Sequence, residues 1–244
     1  SIRDFNRVIE LKPNFWKAYA ARAVSKRKLG LYSATISDCN TALRLMPNKP
    51  TVIHNRGVAF YEIQQYDQAL SDFSFAIDLK PDYSEAYYSR GLTYRDKKMY
   101  VLAISDFSKA VELNAHPAKS LGNRGFCKAK LNNLDGALSD YTQSLQMNKY
   151  DAIVYNNRGS CLSKLGRLEE ALEDYNRAIR INDNFAEAYN NRGRLWIKLN
   201  NRERAIEDFS KAIEQKKDYA NAYGNRAICW AAIDQKYQAI EDWS

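Results

Sequence analysis

Arginine recurs at Arg22, Arg56, Arg90, Arg124, Arg158, Arg192 and Arg226, each 34 residues after the last, with no insertion or deletion between them. Asp4, Asp38, Asp72, Asp106, Asp140, Asp174, Asp208 and Asp242 keep the same spacing, and so do the small residues Ala69, Ala103, Ala137, Ala171, Ala205 and Ala239. Three independent registers with one period mean that the chain repeats a single supersecondary unit. A unit of this length cannot cover its own apolar face and must stack against its neighbours. The 244 residues hold only 10 Gly and 5 Pro and lack the alternating β-branched runs of strands, so the repeated unit is helical. A hydrophobic content of 45% supplies enough material for a core, which excludes disorder and a disulfide-stapled mini-fold.

Counting slots from Pro50 as the first of its repeat, slot 4 is aromatic or apolar in Tyr19, Ile53, Tyr87, Leu121, Tyr155, Tyr189 and Tyr223. Slot 8 is Gly57, Gly91, Gly125, Gly159 and Gly193, with Ala23 and Ala227 at the two ends, where a missing side chain lets helix backbones approach. Small residues return at slots 20 and 27, with an aromatic between them at Phe73, Phe107, Tyr141, Tyr175, Phe209 and Trp243. Spacings of four and three place these on one helical face.

Tyr87, Gly91, Tyr94, Ala103, Phe107 and Ala110, read within one repeat, resemble the signature of the tetratricopeptide repeat family, and the likeness extends over essentially the whole chain. The resemblance implies an all-α, right-handed superhelical solenoid of helix-turn-helix repeats, with first helices lining a concave groove. The expected division is 1–15 (second helix of a truncated repeat), 16–49, 50–83, 84–117, 118–151, 152–185, 186–219 and 220–244 (a truncated repeat). The family's proline after the second helix stands at Pro13, Pro47 and Pro81, but Ala115, Lys149, Asp183 and Lys217 replace it later, which predicts looser turns there. Because the chain opens and closes within second helices and shows no polar capping element, it reads as a piece of a longer array.

Slot 7 carries the arginines where the family usually has leucine, and slot 23 carries the aspartates. In an antiparallel hairpin both lie near the helix-helix seam, where a buried guanidinium needs a carboxylate. Arg56 with Asp72, Arg90 with Asp106, Arg124 with Asp140, Arg158 with Asp174 and Arg192 with Asp208 are therefore expected to be structural ion pairs that set register. The alternative use of the series is a ladder gripping a phosphopeptide or carboxylates.

Slot 6 holds Asn55, Asn123, Asn157, Asn191 and Asn225, on a different helical face from slots 4, 8 and 11 and so expected in the groove. An amide offers both donor and acceptor, so a ladder of them can bond the backbone of an extended peptide without demanding one sequence. Peptide-binding members of the family are similar in that slot. Slot 9 adds Val58, Leu92 and Phe126 as an apolar strip, and slot 13 adds Lys130, Lys164 and Lys198 at the groove edge, which suits an acidic segment.

The expected function is a non-catalytic scaffold that binds a protein or extended peptide, an acidic one included, within a larger assembly. A second reading is the substrate-targeting region of a longer enzyme such as a glycosyltransferase. A chaperone adaptor is disfavoured, because the family's carboxylate clamp needs Lys at slot 5, and slot 5 is Ala20, His54, Tyr88, Gly122, Asn156, Asn190 and Gly224. The chain has two histidines, His54 and His116, with no recurring nucleophile or carboxylate constellation, no phosphate loop and no metal spacing, so no catalysis, cofactor or metal is expected. Cys127, Cys161 and Cys229 share slot 10, but helices packed ~10 Å apart hold them too far apart for one tetrahedral ion. Basic and acidic residues alternate despite a net charge of +8, so nucleic acid is not the expected partner. No apolar run reaches a membrane span, the opening residues read as amphipathic helix, and no disulfide framework is visible; these predict no membrane insertion and a cytoplasmic place, a ciliary or other large assembly included.

Overall fold

The structure, a computed structural model, describes residues 1–243. Ser244, the last residue of the expected closing repeat, lies outside them, as does the side chain of Trp243. The described residues form fifteen α-helices and no strand. They divide into two compact units, Ser1–Cys127 and Lys128–Ser244.

The first unit contains α1 (Ile2–Leu11), α2 (Trp16–Lys28), α3 (Tyr32–Leu45), α4 (Pro50–Glu62), α5 (Tyr66–Leu79), α6 (Ser84–Asp96), α7 (Tyr100–Glu112) and most of α8 (Pro117–Lys130). Hairpins α2–α3, α4–α5 and α6–α7 pack internally, α1 packs on α2, α3 on α4 and α5 on α6, and α4 touches both α2 and α6. The second unit contains α9 (Leu134–Met147), α10 (Ala152–Lys164), α11 (Leu168–Ile181), α12 (Ala186–Lys198), α13 (Arg202–Gln215), α14 (Ala220–Ala232) and α15 (Lys236–Trp243). Its hairpins α10–α11, α12–α13 and α14–α15 repeat the scheme, with α12 touching α10 and α14.

Every hairpin turn passes through one residue in the left-handed region, at slot 15: Gly30, Gln64, Lys98, Asn132, Gly166, Asn200 and Asp234, with φ between 55° and 78°. Two of the seven are glycine and three are Asn or Asp, which tolerate this conformation, so the stacked fold imposes it only on Gln64 and Lys98. The turns across Pro81, Asp183 and Lys217 close with the same hydrogen bond, with or without proline, whereas at the Ala115 turn Ala115 N donates to Ala110 O at 2.7 Å. Tyr83 N donates to Lys80 O at 3.0 Å across Pro81, Phe185 N to Asn182 O at 3.3 Å across Asp183, and Tyr219 N to Lys216 O at 3.2 Å across Lys217.

Slot 8 and slot 24 are fitted to each other. A Cβ placed on Gly57 would lie 2.7 Å from a ring carbon of Phe73, on Gly91 2.9 Å from Phe107, and on Gly193 2.6 Å from Phe209. The small residue therefore makes room for an aromatic ring more than for a second backbone. All three rings are fully buried and cannot retreat. In the first hairpin the pair is Ala23 and Cys39, both buried, where a slender slot 24 tolerates a methyl group at slot 8.

Candidate protein-docking face

The arginines of slot 7 are tied on three sides. Arg56 Nε and Nη2 donate to the two carboxylate oxygens of Asp72 at 2.8 and 2.7 Å, and Nη1 donates to Asn40 of the preceding second helix at 2.7 Å. Arg90 binds Asp106 at 2.8 and 2.9 Å and Ser74 at 3.0 Å. Arg158 binds Asp174 at 2.8 and 2.7 Å and Thr142 at 3.2 Å, and Arg192 binds Asp208 at 2.8 and 2.6 Å and Asn176 at 2.6 Å. Arg124 donates to Ser108 at 3.1 Å, and Asp140 accepts from Lys128 at 2.8 Å.

The Arg56, Arg90, Arg158 and Arg192 guanidinium groups thus each join their own hairpin to the one before it through slot 25, a partner that the periodicity did not single out. The aspartate bond raises the affinity of Arg90 and Arg158 for their protons. Burial pushes the Asp106, Asp174 and Asp208 carboxyls up by more than their arginines pull them down. These two directions oppose each other, and the balance that follows is a pair with small net stabilisation and strict geometry. With Nε, Nη1 and Nη2 all engaged in the Arg56, Arg90, Arg158 and Arg192 sets, these side chains are not presented to a ligand.

The asparagines of slot 6 behave differently in the two units. In the second, Asn191 on α12 donates to the Asn156 oxygen on α10 at 3.0 Å, and Asn225 on α14 donates to the Asn190 oxygen on α12 at 3.0 Å. Asn156 and Asn190 are slot 5 residues, 5–6% exposed, so neighbouring first helices are bridged amide to amide. Each donor amide keeps one N–H and its carbonyl lone pairs, and Asn157 makes no side-chain hydrogen bond among the described residues. In the first unit Asn55 donates to Thr51 O of its own helix at 2.8 Å and Asn123 to Lys119 O at 2.9 Å, while the Asn123 oxygen accepts from Arg95.

Between those asparagines, His54 bonds Ser89 at 3.0 Å and stacks against Phe73 and Tyr83. Burial, assisted by Arg27, pushes the His54 imidazole down to about 4. It is neutral at physiological pH. The Arg27 Nε is buried without a hydrogen-bond partner.

Slot 9 is less open than its composition predicts. Leu92 and Phe126 are half-buried and pack against the Ala103, Phe107 and Cys127 cluster, because one turn beyond slot 5 the helix already leans on its hairpin partner. Val58 is half-buried as well, whereas Ile228 in the same slot is 58% exposed. At slot 13, Lys130 and Lys164 are exposed, and Lys198 Nζ donates to the Ser163 carbonyl and hydroxyl at 2.8 and 3.0 Å. In the first unit the same level carries the Tyr61 hydroxyl donating to Asp96 at 2.6 Å. The pairs α4–α6 and α10–α12 are therefore linked at two levels, slots 5–6 and slots 12–13, and α12–α14 at slots 5–6, each link joining residues 35 apart.

The four cysteines are buried free thiols, and burial pushes Cys39 and Cys127 up to about 12. They are inert at neutral pH. No helix is long and apolar enough to cross a membrane among the described residues.

Stacked hairpins of this kind define a class of helical repeat proteins, and sequence comparison places the chain within it. Tetratricopeptide repeat models match residues 84–117, 152–185 and 186–219, and a further TPR repeat model matches 59–98. The chain belongs to the tetratricopeptide repeat family. It is similar to YrrB, described as a TPR protein with an unusual peptide-binding site, at 26% identity over 75% of this chain and 95% of that one, with a TM-score of 0.63. Two further solved structures share the fold. Pseudomonas aeruginosa PilF has 15% identity and a TM-score of 0.75 over 85% of this chain and 94% of its own. The Cut9–Hcn1 structure of the APC/C has 18% identity and a TM-score of 0.74 over 99% of this chain but 48% of its own. No match was found among curated protein sequences.

Proposed function

We propose that the chain is a protein-interaction scaffold whose first helices hold an extended segment of a partner protein along their exposed face. Tetratricopeptide repeats serve as interaction scaffolds in general, and YrrB, the relative named above, is described by its peptide-binding site. The observation that supports the reading best is the amide bridging of α10, α12 and α14. Asn191 and Asn225 are each held in one orientation by a neighbouring amide at 3.0 Å and retain a donor and an acceptor for a peptide backbone. Groups ordered before the ligand arrives lose less entropy on binding. Asn157, with its whole amide unengaged, extends the same row, and Lys164 at its edge favours an acidic segment. A place within a larger assembly fits this reading, as does delivery of substrates to a catalytic part of a longer chain.

The test is selection of binders from a displayed library of random peptides, followed by fluorescence polarisation on the selected sequences. Combining Asn157→Ala, Asn191→Ala and Asn225→Ala is expected to weaken binding at least tenfold, from two or more lost hydrogen bonds at roughly 0.5–1.5 kcal/mol each. Equal affinity of wild type and triple variant for every selected peptide would discard the amide row as the docking element.

A further inference from the structure

Helix α11 carries two cations where α1, α7 and α13 carry a cation–anion pair. In α7 the slot 26 and slot 29 residues are Lys109 and Glu112, paired at 2.7 Å, and in α13 they are Lys211 and Glu214, also paired at 2.7 Å. In α11 the same slots are Arg177 and Arg180. Two cations one turn apart repel each other, where α7 and α13 gain from attraction. Neither arginine has a hydrogen bond or ion pair among the described residues.

Both arginines line two adjoining cavities. One, of about 370 Å³, is bounded by Tyr155, Arg158, Glu173, Asp174 and Asn176 as well as the arginines. The other, of about 460 Å³, is bounded by Arg177, Arg180, Tyr150 and Ile181. Arg158 and Asp174 neutralise each other in the first cavity, and Glu173 leaves it poorly suited to an anion. The second has no acidic wall. Its Tyr150 ring is 66% exposed, and the Lys149 ammonium lies 5.2 Å from the ring centre. The second cavity therefore presents two unengaged guanidinium forks, a third cation nearby, and an apolar floor of Tyr150 and Ile181. It lies on a second helix, away from the first-helix face.

We propose that this cavity is a binding site for a phosphorylated side chain of a partner protein. A phosphate monoester carries nearly two negative charges and three acceptor oxygens, enough to bond both guanidinium groups and relieve their repulsion. The Tyr150 and Ile181 surfaces receive the apolar stem of the modified residue. Arg158, in the adjoining cavity, stays with Asp174 and does not take part.

The probe is a short fluorescein-labelled peptide with one phosphotyrosine among alanines, titrated into the full chain beside its unphosphorylated twin. Saturable binding that weakens with added salt, and at least tenfold weaker binding of the twin, are expected. Arg180→Glu rebuilds the cation–anion pair of α7 and α13, so it is expected to melt no lower than wild type while losing the phosphopeptide. Arg177→Gln with Arg180→Gln removes the charge without rebuilding the pair and is expected to lose binding too. The Asn157, Asn191 and Asn225 alanine variant is expected to bind the phosphopeptide normally, which separates this site from the amide row. Equal binding of the two peptides, or undiminished binding by folded Arg180→Glu, overturns the proposal. So does a single-stranded RNA oligonucleotide that outcompetes the phosphopeptide at the same salt, since the site would then be one for nucleic acid.

Discussion

Replacing Arg90 by methionine removes the guanidinium from Asp106 while keeping an unbranched chain over Tyr87 and Tyr94. Asp106 is 4% exposed and receives two bonds from Arg90, at 2.8 and 2.9 Å. A buried carboxylate stripped of its cation loses about 3–5 kcal/mol. It also has an escape, because it can take up a proton. At pH 7 protonating a carboxyl of ordinary pKa near 3.9 costs about 4 kcal/mol, which sets the ceiling for Arg90→Met, and at pH 5 the ceiling falls to about 1.5 kcal/mol. The loss of stability should therefore shrink as pH is lowered, which a simple loss of packing would not do. Combining Arg90→Met with Asp106→Leu removes the stranded charge and is expected to recover stability to within about 1 kcal/mol of wild type. Urea unfolding followed by circular dichroism at pH 7 and pH 5 reads all three. A cost below about 1 kcal/mol at pH 7, or one equally large at pH 5, refutes the claim that the pair exists to keep a buried charge compensated.

Two further outcomes follow from the same geometry. Gly193→Ala forces a methyl group to within 2.6 Å of the immobile Phe209 ring and is expected to lose about 1–3 kcal/mol, whereas Gly224→Ala meets nothing within 4 Å and should gain up to about 1 kcal/mol from helix propensity. Melting temperatures that move the same way in both variants would contradict the size-matching of slots 8 and 24. His54 is held at about 4, below its ordinary value of 6.5, so the unfolded chain binds the extra proton between those limits and stability falls as pH drops through that window. The groups facing it are Ser89, Arg27, Glu85, Phe73 and Tyr83. Between pH 8 and pH 5 the wild type is expected to lose about 2 kcal/mol more than His54→Phe, and parallel urea midpoints for the two proteins would remove His54 as the source.

The repeat period and the helical character of the unit were legible in the residues alone. Hydrophobic spacing and turn chemistry are local, and each of the fifteen helices draws on the same local pattern. The Arg–Asp register was legible for the same reason, since Arg90 and Asp106 fall within a single hairpin and recur with it. What lies between repeats was not. A period equates Ser74 with Ser108 and Asn156 with Asn190, but it does not say that Arg90 reaches back to Ser74 or that Asn191 reaches Asn156. Those contacts depend on the offset at which one hairpin stacks on the next, a distance in space that no spacing along the chain encodes. Partial burial of slot 9 was hidden likewise, because Leu92 and Phe126 look exposed on an isolated helix and are covered only when the hairpin closes. The two arginines of α11 show both sides of the matter. Their contrast with the Lys–Glu pairs of α7 and α13 was written in the sequence, but only packing set them around a cavity with Tyr150, the arrangement on which the proposed phosphate site rests.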